Sequence, residues 1–258
     1  MTAQPPRNLT LTPPFGYGEI VPLQRGHRVL LPHGATPHFA RTINALAVSH
    51  GEMTAAARHY AVVFASGDGG NSYAPVVVLG LADGQNLFVG PGGDWDPSSY
   101  LPAYVRRYPF CISKLYVDGA PRGDRVVCVA KAYVDDQGIP LFDASGAATP
   151  AWSQIERLLS EFESDLDRTA DMCASLARLS LFAPFTFTVM QADERPALKL
   201  EGMYRIDQAK FDGLKPATLK ALQRKGFLGH IYAHLQSLDN FAALYGRAVA
   251  RARAEPRG

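Results

Sequence analysis

His230 and His234 lie four residues apart in Gly229-His230-Ile231-Tyr232-Ala233-His234, a spacing that sets two imidazoles on one helical face. Zinc chemistry on that spacing needs a further ligand and, in a metalloprotease, a Glu beside the first His. Ile231 stands there instead, so no metal is expected. The pair reads as a surface His230 and a partly buried, hydrogen-bonded His234. Ser66-Gly67-Asp68-Gly69-Gly70 follows a strand but lacks the Gly-Lys-Ser/Thr ending of a phosphate loop, so it reads as a turn. Ser66 is no nucleophile elbow, because Gly-x-Ser-x-Gly is absent. Trp95 between Asp94 and Asp96 has parts of a carbohydrate site, yet the simpler reading is a structural turn. Arg106 and Arg107, beside Tyr108, are the strongest candidates for holding an anion. Neighbouring residues point in different directions, so only one of them faces any given ligand.

The three cysteines, Cys111, Cys128 and Cys173, are odd in number and form no C-x-x-C. They read as reduced, buried thiols rather than a disulfide or zinc framework. No cofactor motif and no catalytic constellation stands out.

The elements that must position these residues change character along the chain. Residues 1–18 carry Pro5, Pro6, Pro13 and Pro14 and read as an extended arm. Residues 19–145 are strand-rich: Ile20–Leu23, Arg28–Leu31, Tyr60–Ala65 and Pro75–Leu81 are candidates, with Asn86–Val89 as the partner of the last across an Asp83-Gly84 turn. Val126–Val134 and Ile139–Phe142 follow, and short helices are expected at Met53–His59 and Leu101–Tyr108. Near Thr149 the period lengthens: Ile155, Leu158, Leu159, Phe162, Leu166, Cys173 and Leu176 recur at helical spacing. Thr149 is placed to cap this helix, with Pro150 at its first position. A hairpin over Thr186–Met190 and Leu198–Ile206 follows, with Ala192–Pro196 as its loop. Short helices at Asp207–Phe211 and Pro216–Lys225 and one last helix over Leu228–Ala252 complete a helix-rich stretch, 149–252. The reading is an α+β fold, with 19–258 as one domain.

Composition bounds the partners. The 258 residues are 47% hydrophobic and 19% charged with a net charge of +2, as in globular proteins, and give no general pull towards nucleic acid or anionic membrane. Apolar runs such as Val76–Leu81 are far below the roughly 18 residues that span a membrane. No basic segment followed by an apolar run opens the chain, so a cytoplasmic location is expected unless export is signal-independent. The oligomeric state is not legible.

In order along the chain, Tyr60–Phe64, Pro75–Leu81, Asp83–Val89, Trp95-Asp96, Tyr100–Phe110, Leu141–Asp143 and Ile231–Phe241 make the sequence resemble the bacterial SapC family. The arm and Ala120–Arg125 fit less well. The family takes its name from an association with surface-layer genes, and the resemblance implies no agreed catalytic residues. It directs attention to the polar positions Arg106, Arg107, His234, Ser237 and Asn240. Two readings stand. One is a non-catalytic accessory or interaction protein, linked to a surface-layer or export system and using an aromatic surface at Trp95, Tyr100 and Tyr104. The alternative is a small-molecule binder or enzyme whose site uses those polar residues on an anionic or polar ligand.

Overall fold

Thr149 begins the longest element as its sequence suggests: its Oγ1 accepts the Trp152 N–H at 3.3 Å, supplying one of the partners a helix start lacks. The structure, a computed structural model, describes residues 9–32, 34–117, 120–190 and 196–254. The first part of the expected arm, the hairpin loop 191–195 and the end of the tail lie outside the described residues.

The strands and helices, in chain order, are β1 (Leu9–Leu11), β2 (Ile20–Pro22), β3 (Arg28–Val29), β4 (Ala45–Ala47), α1 (His50–Ala56), β5 (Val62–Ala65), β6 (Ala74–Val78), α2 (Ala103–Arg106), β7 (Phe110–Val117), β8 (Ala120–Ala130), β9 (Ile139–Pro140), α3 (Pro150–Arg178), β10 (Phe182–Met190), β11 (Pro196–Ile206), α4 (Gln208–Asp212), α5 (Pro216–Arg224), α6 (Phe227–Ser237) and α7 (Asn240–Ala254). Every pairing between them is antiparallel among the described residues, and helices dominate the C-terminal half. The fold is α+β.

The chain divides into two compact units, each drawn from two stretches of sequence. The first takes residues 1–40 and 105–163. Its sheet runs β1-β7-β8-β2, with a small β3-β9 ribbon beside it in sequence. Val29, Phe110, Val129, Leu141, Trp152 and Leu159 form its core, the last two from the apolar face of α3. Gly138 closes the turn into β9. A side chain there would strike the Val29 backbone at 2.4 Å, so the ribbon needs glycine at this point.

The second unit takes residues 41–104 and 164–258. Its sheet runs β10-β11-β5-β6-β4. Val62, Val63, Phe64 and Val77 are fully buried there, as expected of β-branched and aromatic strand interiors. α6 lies against α1, β5 and β11.

Three readings need correction. Asn86–Val89 does not return as a strand beside Pro75–Leu81. β6 is already paired on both sides, Val77 facing Val62 of β5 and Leu46 of β4, so no open edge remains. Only the Leu87 N–H reaches back, to the Leu79 carbonyl at 2.8 Å, and Val89 bridges Trp95 instead. The last helix is two helices. Between α6 and α7 the Asp239, Phe241 and Ala242 N–H groups bond three residues back rather than four, which turns the chain at Leu238-Asp239. Leu166, counted in the apolar stripe of α3, is exposed at 41%, whereas Met172 is buried.

Phe162 anchors α3 within the first unit, with the Arg107 guanidinium 4.3 Å from its ring centre. Phe162→Ala is expected to lower the unfolding free energy by about 3–5 kcal/mol in urea titrations. A loss under about 1 kcal/mol would show that this ring is not a core contact.

Candidate functional site

The polar residues singled out by sequence fall in both units. In the first, Arg107 is buried on α2's exit, its guanidinium over Phe162 and 5.7 Å from the Tyr17 ring centre, with Nη1 3.9 Å from Glu163 Oε1. Glu163 also accepts from Arg125 at 2.5 Å. Arg106 is exposed at the end of α2. Here too Cys111 and Cys128 face each other across β7 and β8. A hydrogen bond to Cys128, then burial, pushes the Cys111 thiol far up, so it stays protonated and unreactive.

In the second unit His234, Ser237 and Asn240 work as one group. Strands β11 and β5 pair at Tyr204 and Phe64; two residues further along, the facing residues are Ile206 and Val62. There the imidazole of His234 fills the ladder. Its Nε2 accepts the Ile206 N–H at 3.0 Å, and Nδ1 lies 2.8 Å from the Val62 carbonyl. Those partners fix the tautomer, with the proton on Nδ1. Ser237 Oγ takes the Val62 N–H at 3.0 Å and donates to the His234 carbonyl at 2.7 Å. Asn240 Nδ2 donates to the carbonyls of Ala57 and Tyr60 at 2.9 and 3.0 Å. Burial holds the His234 pKa down at about 4. This ring is a neutral strut between two strands.

From Tyr60 the network continues outward. The Tyr60 hydroxyl accepts the Trp95 indole N–H at 3.1 Å and donates to the Tyr100 carbonyl. Burial drives its own ionisation far above the usual range. Glu52, a buried carboxylate the sequence reading passed over, accepts from the Ser49 N–H at 3.0 Å, the Tyr100 hydroxyl at 3.1 Å and the Ala103 N–H at 2.6 Å. Of the aromatic candidates, Trp95 is thus turned inward at 7% exposure, and Tyr100 and Tyr104 are half-buried. Asp96, next to Trp95, accepts from Ser98, Ser99 and, at 2.7 Å, Arg247 of α7. The Ser98 hydroxyl, then Arg247, holds its carboxyl well below the usual range.

One helical turn beyond Arg247, Arg251 reaches the same loop. Its Nη1 and Nη2 donate to the carbonyls of Asn86 and Val89 at 2.8 and 2.5 Å. The loop is a tight turn in which the Gly93 N–H bonds the Gly90 carbonyl and the Gly90 N–H bonds the Asp94 carbonyl, each at 2.9 Å. Gly93 has φ +84°, and a Cβ on it would come within 2.8 Å of the Arg41 guanidinium carbon. The positive φ calls for glycine, and the guanidinium tip fills the space a side chain would take. Between the turn, Arg41 and Arg251 lies a cavity of about 580 Å3. Sequence reading missed it. The available signal was the Arg247 and Arg251 spacing on the last helix together with the glycine-rich Gly90–Gly93.

A separate histidine contact lies in the same unit. The His50 and His230 rings meet edge to face with centroids 4.0 Å apart, and His50 also touches Phe227. Neither ring nitrogen of His50 finds a hydrogen-bond partner among the described residues. Burial lowers the pKa of both rings, that of His230 to about 4. Among the described residues, no group of three or more His, Cys, Asp or Glu side chains is placed to hold a metal.

A family model described as SapC matches residues 27–244. None of the curated proteins and none of the solved structures gives a significant match.

The depressed histidines set the acid behaviour. The unfolded chain binds their protons near 6.5 and the folded chain only near 4. Their contribution is therefore complete above about pH 6.5 and is lost as pH falls towards 4, at roughly 1.4 kcal/mol per pH unit for each imidazole. Urea unfolding at several pH values should show this slope, and His230→Ala should flatten it. An unchanged slope would contradict the assignment. Asn240→Ala strands two part-buried carbonyls and is expected to cost about 1 kcal/mol; a neutral effect by the same titration would remove Asn240 from the network.

Proposed function

The chain belongs to the SapC family, and from that membership and the site geometry we propose that it is a non-catalytic accessory protein that works by binding. The observation that carries the reading is the make-up of the cavity beside α7. Its described lining is two guanidiniums, Asn86, the Gly90–Gly93 backbone and apolar Val89, Pro91 and Ala254. Guanidinium stays protonated throughout the working pH range, so it holds a polar or anionic group but takes no part in proton transfer. His234 supports the same view: both ring nitrogens are committed to backbone groups, whereas a general base needs one directed at its substrate. The family's surface-layer name suggests the setting, an accessory to a surface-layer or export system. No described helix is long and apolar enough to cross a membrane.

The test is a thermal-shift screen of the purified chain against anionic and polar metabolites, with each stabilising compound then followed by NMR during long incubation. Saturable stabilisation with the compound recovered unchanged is the expected result. Protein-dependent conversion of any such compound would overturn a non-catalytic role.

A further inference from the structure

Arg247 and Arg251 stand one turn apart on α7 but have opposite electrostatic fates. Arg247 is paired with Asp96 at 2.7 Å and lies over the Phe88 ring, so its charge is answered. Arg251 is held by two uncharged carbonyls, those of Asn86 and Val89, and has no carboxylate partner among the described residues. Two of its five N–H donors carry those bonds, leaving three for another acceptor. The arrangement fixes the guanidinium plane while leaving its charge uncompensated. Arg41 brings a second guanidinium to the same cavity, lying against Gly93.

We propose that this cavity binds the oxyanion group of a small molecule, a phosphate or a carboxylate, with Arg251 as the fixed fork and Arg41 as the second cationic contact. The inference rests on the reading that the chain works by binding. A forked guanidinium suits both oxyanions, because two parallel N–H groups match two oxygens of either. The missing side chain at Gly93 lets the Arg41 guanidinium lie against the backbone wall of the cavity. The volume, about 580 Å3, leaves room for more than a bare phosphate. Charge distinguishes this cavity from another of about 470 Å3 in the same unit, whose lining sets Asp207 and Asp239 against a single Arg205. That one has the wrong sign for an anion.

The experiment titrates the full chain with inorganic phosphate and, separately, with acetate, against chloride at matched ionic strength. It reads both the melting temperature and the calorimetric affinity. Saturable stabilisation by phosphate, by acetate or by both is expected, and the stronger arm names the group. Arg41→Gln and Arg251→Ala should each weaken the apparent affinity about ten- to a hundredfold, the loss of one or two charge-assisted hydrogen bonds. Arg253→Ala, exposed on the same helix and outside the cavity, should leave it unchanged. Arg251→Ala also removes two bonds that hold the loop. If it does not fold, Arg251→Lys, which keeps the charge and loses the fork, takes its place beside Arg41→Gln. No saturable effect from either anion, or an effect equal in wild type and the Arg41 and Arg251 variants, overturns the site. Metabolite binding that persists undiminished in those variants would leave the binding reading standing while removing this cavity from it.

Discussion

Strands β5 and β11 part company after a single paired position, and the backbone groups they leave behind must be satisfied inside the protein. An unpaired buried amide or carbonyl costs a sizeable fraction of a domain's net stability. α6 and the start of α7 provide the answer with three side chains at three-residue spacing. His234 bridges Ile206 and Val62, Ser237 takes the Val62 N–H, and Asn240 takes the carbonyls of Ala57 and Tyr60. The place where the sheet opens is thus the place where the helix pair is fastened. The chain turns at Leu238-Asp239, and directly after that turn Asn240 reaches the Ala57 and Tyr60 carbonyls.

The cavity follows from that anchoring. Asn240 begins α7, so fixing it fixes where Arg247 and Arg251 emerge two and three turns later. Tyr60, whose carbonyl Asn240 holds, also orients Trp95 through its hydroxyl, and Trp95 is bridged to Val89. Helix and loop are therefore positioned from one point. Arg247 closes the contact by neutralising Asp96, and Arg251 adds a charge with no ion-pair partner among the described residues, the Asp94 carboxylate lying beside Gly92 of the same loop. Rigid elements supporting an uncompensated cation are what pre-organised anion recognition requires, since neither side chain nor backbone then has to be ordered on binding.

The first unit handles its buried charge differently. Arg107 is covered by aromatic faces and lies near Glu163, which also serves Arg125. Guanidinium tolerates such a site because it is weakly hydrated and stacks on rings. Its surroundings are those of a core cation. The opposed thiols of Cys111 and Cys128 are small buried groups too; their hydrogen bond raises the Cys111 pKa and lowers that of Cys128.

Much of this was legible without a structure. Periodicity gave α3 and its Thr149 cap, because a helix cap and an apolar stripe are local facts of spacing. The α+β class, the hairpin of β10 and β11 and the family followed from similarly local patterns. His234 was also legible as a partly buried, hydrogen-bonded residue, and the family resemblance singled out Ser237 and Asn240 beside it. Their backbone partners were not, since Val62, Ala57 and Tyr60 lie 172 to 183 residues away in sequence and Ile206 lies 28 away. Asn86–Val89 was misread as a strand for the same reason: a turn and an apolar run are local, whereas an occupied sheet edge is decided by β4 and β5. Arg41 and Arg251, more than 200 residues apart, carry no shared signal in a linear chain. Sequence alone determined the long helix α3, the β10–β11 hairpin and which polar groups needed partners. Only tertiary structure decided which backbone supplied those partners and which arginine kept its charge, because both depend on what the folded chain brings within hydrogen-bonding distance.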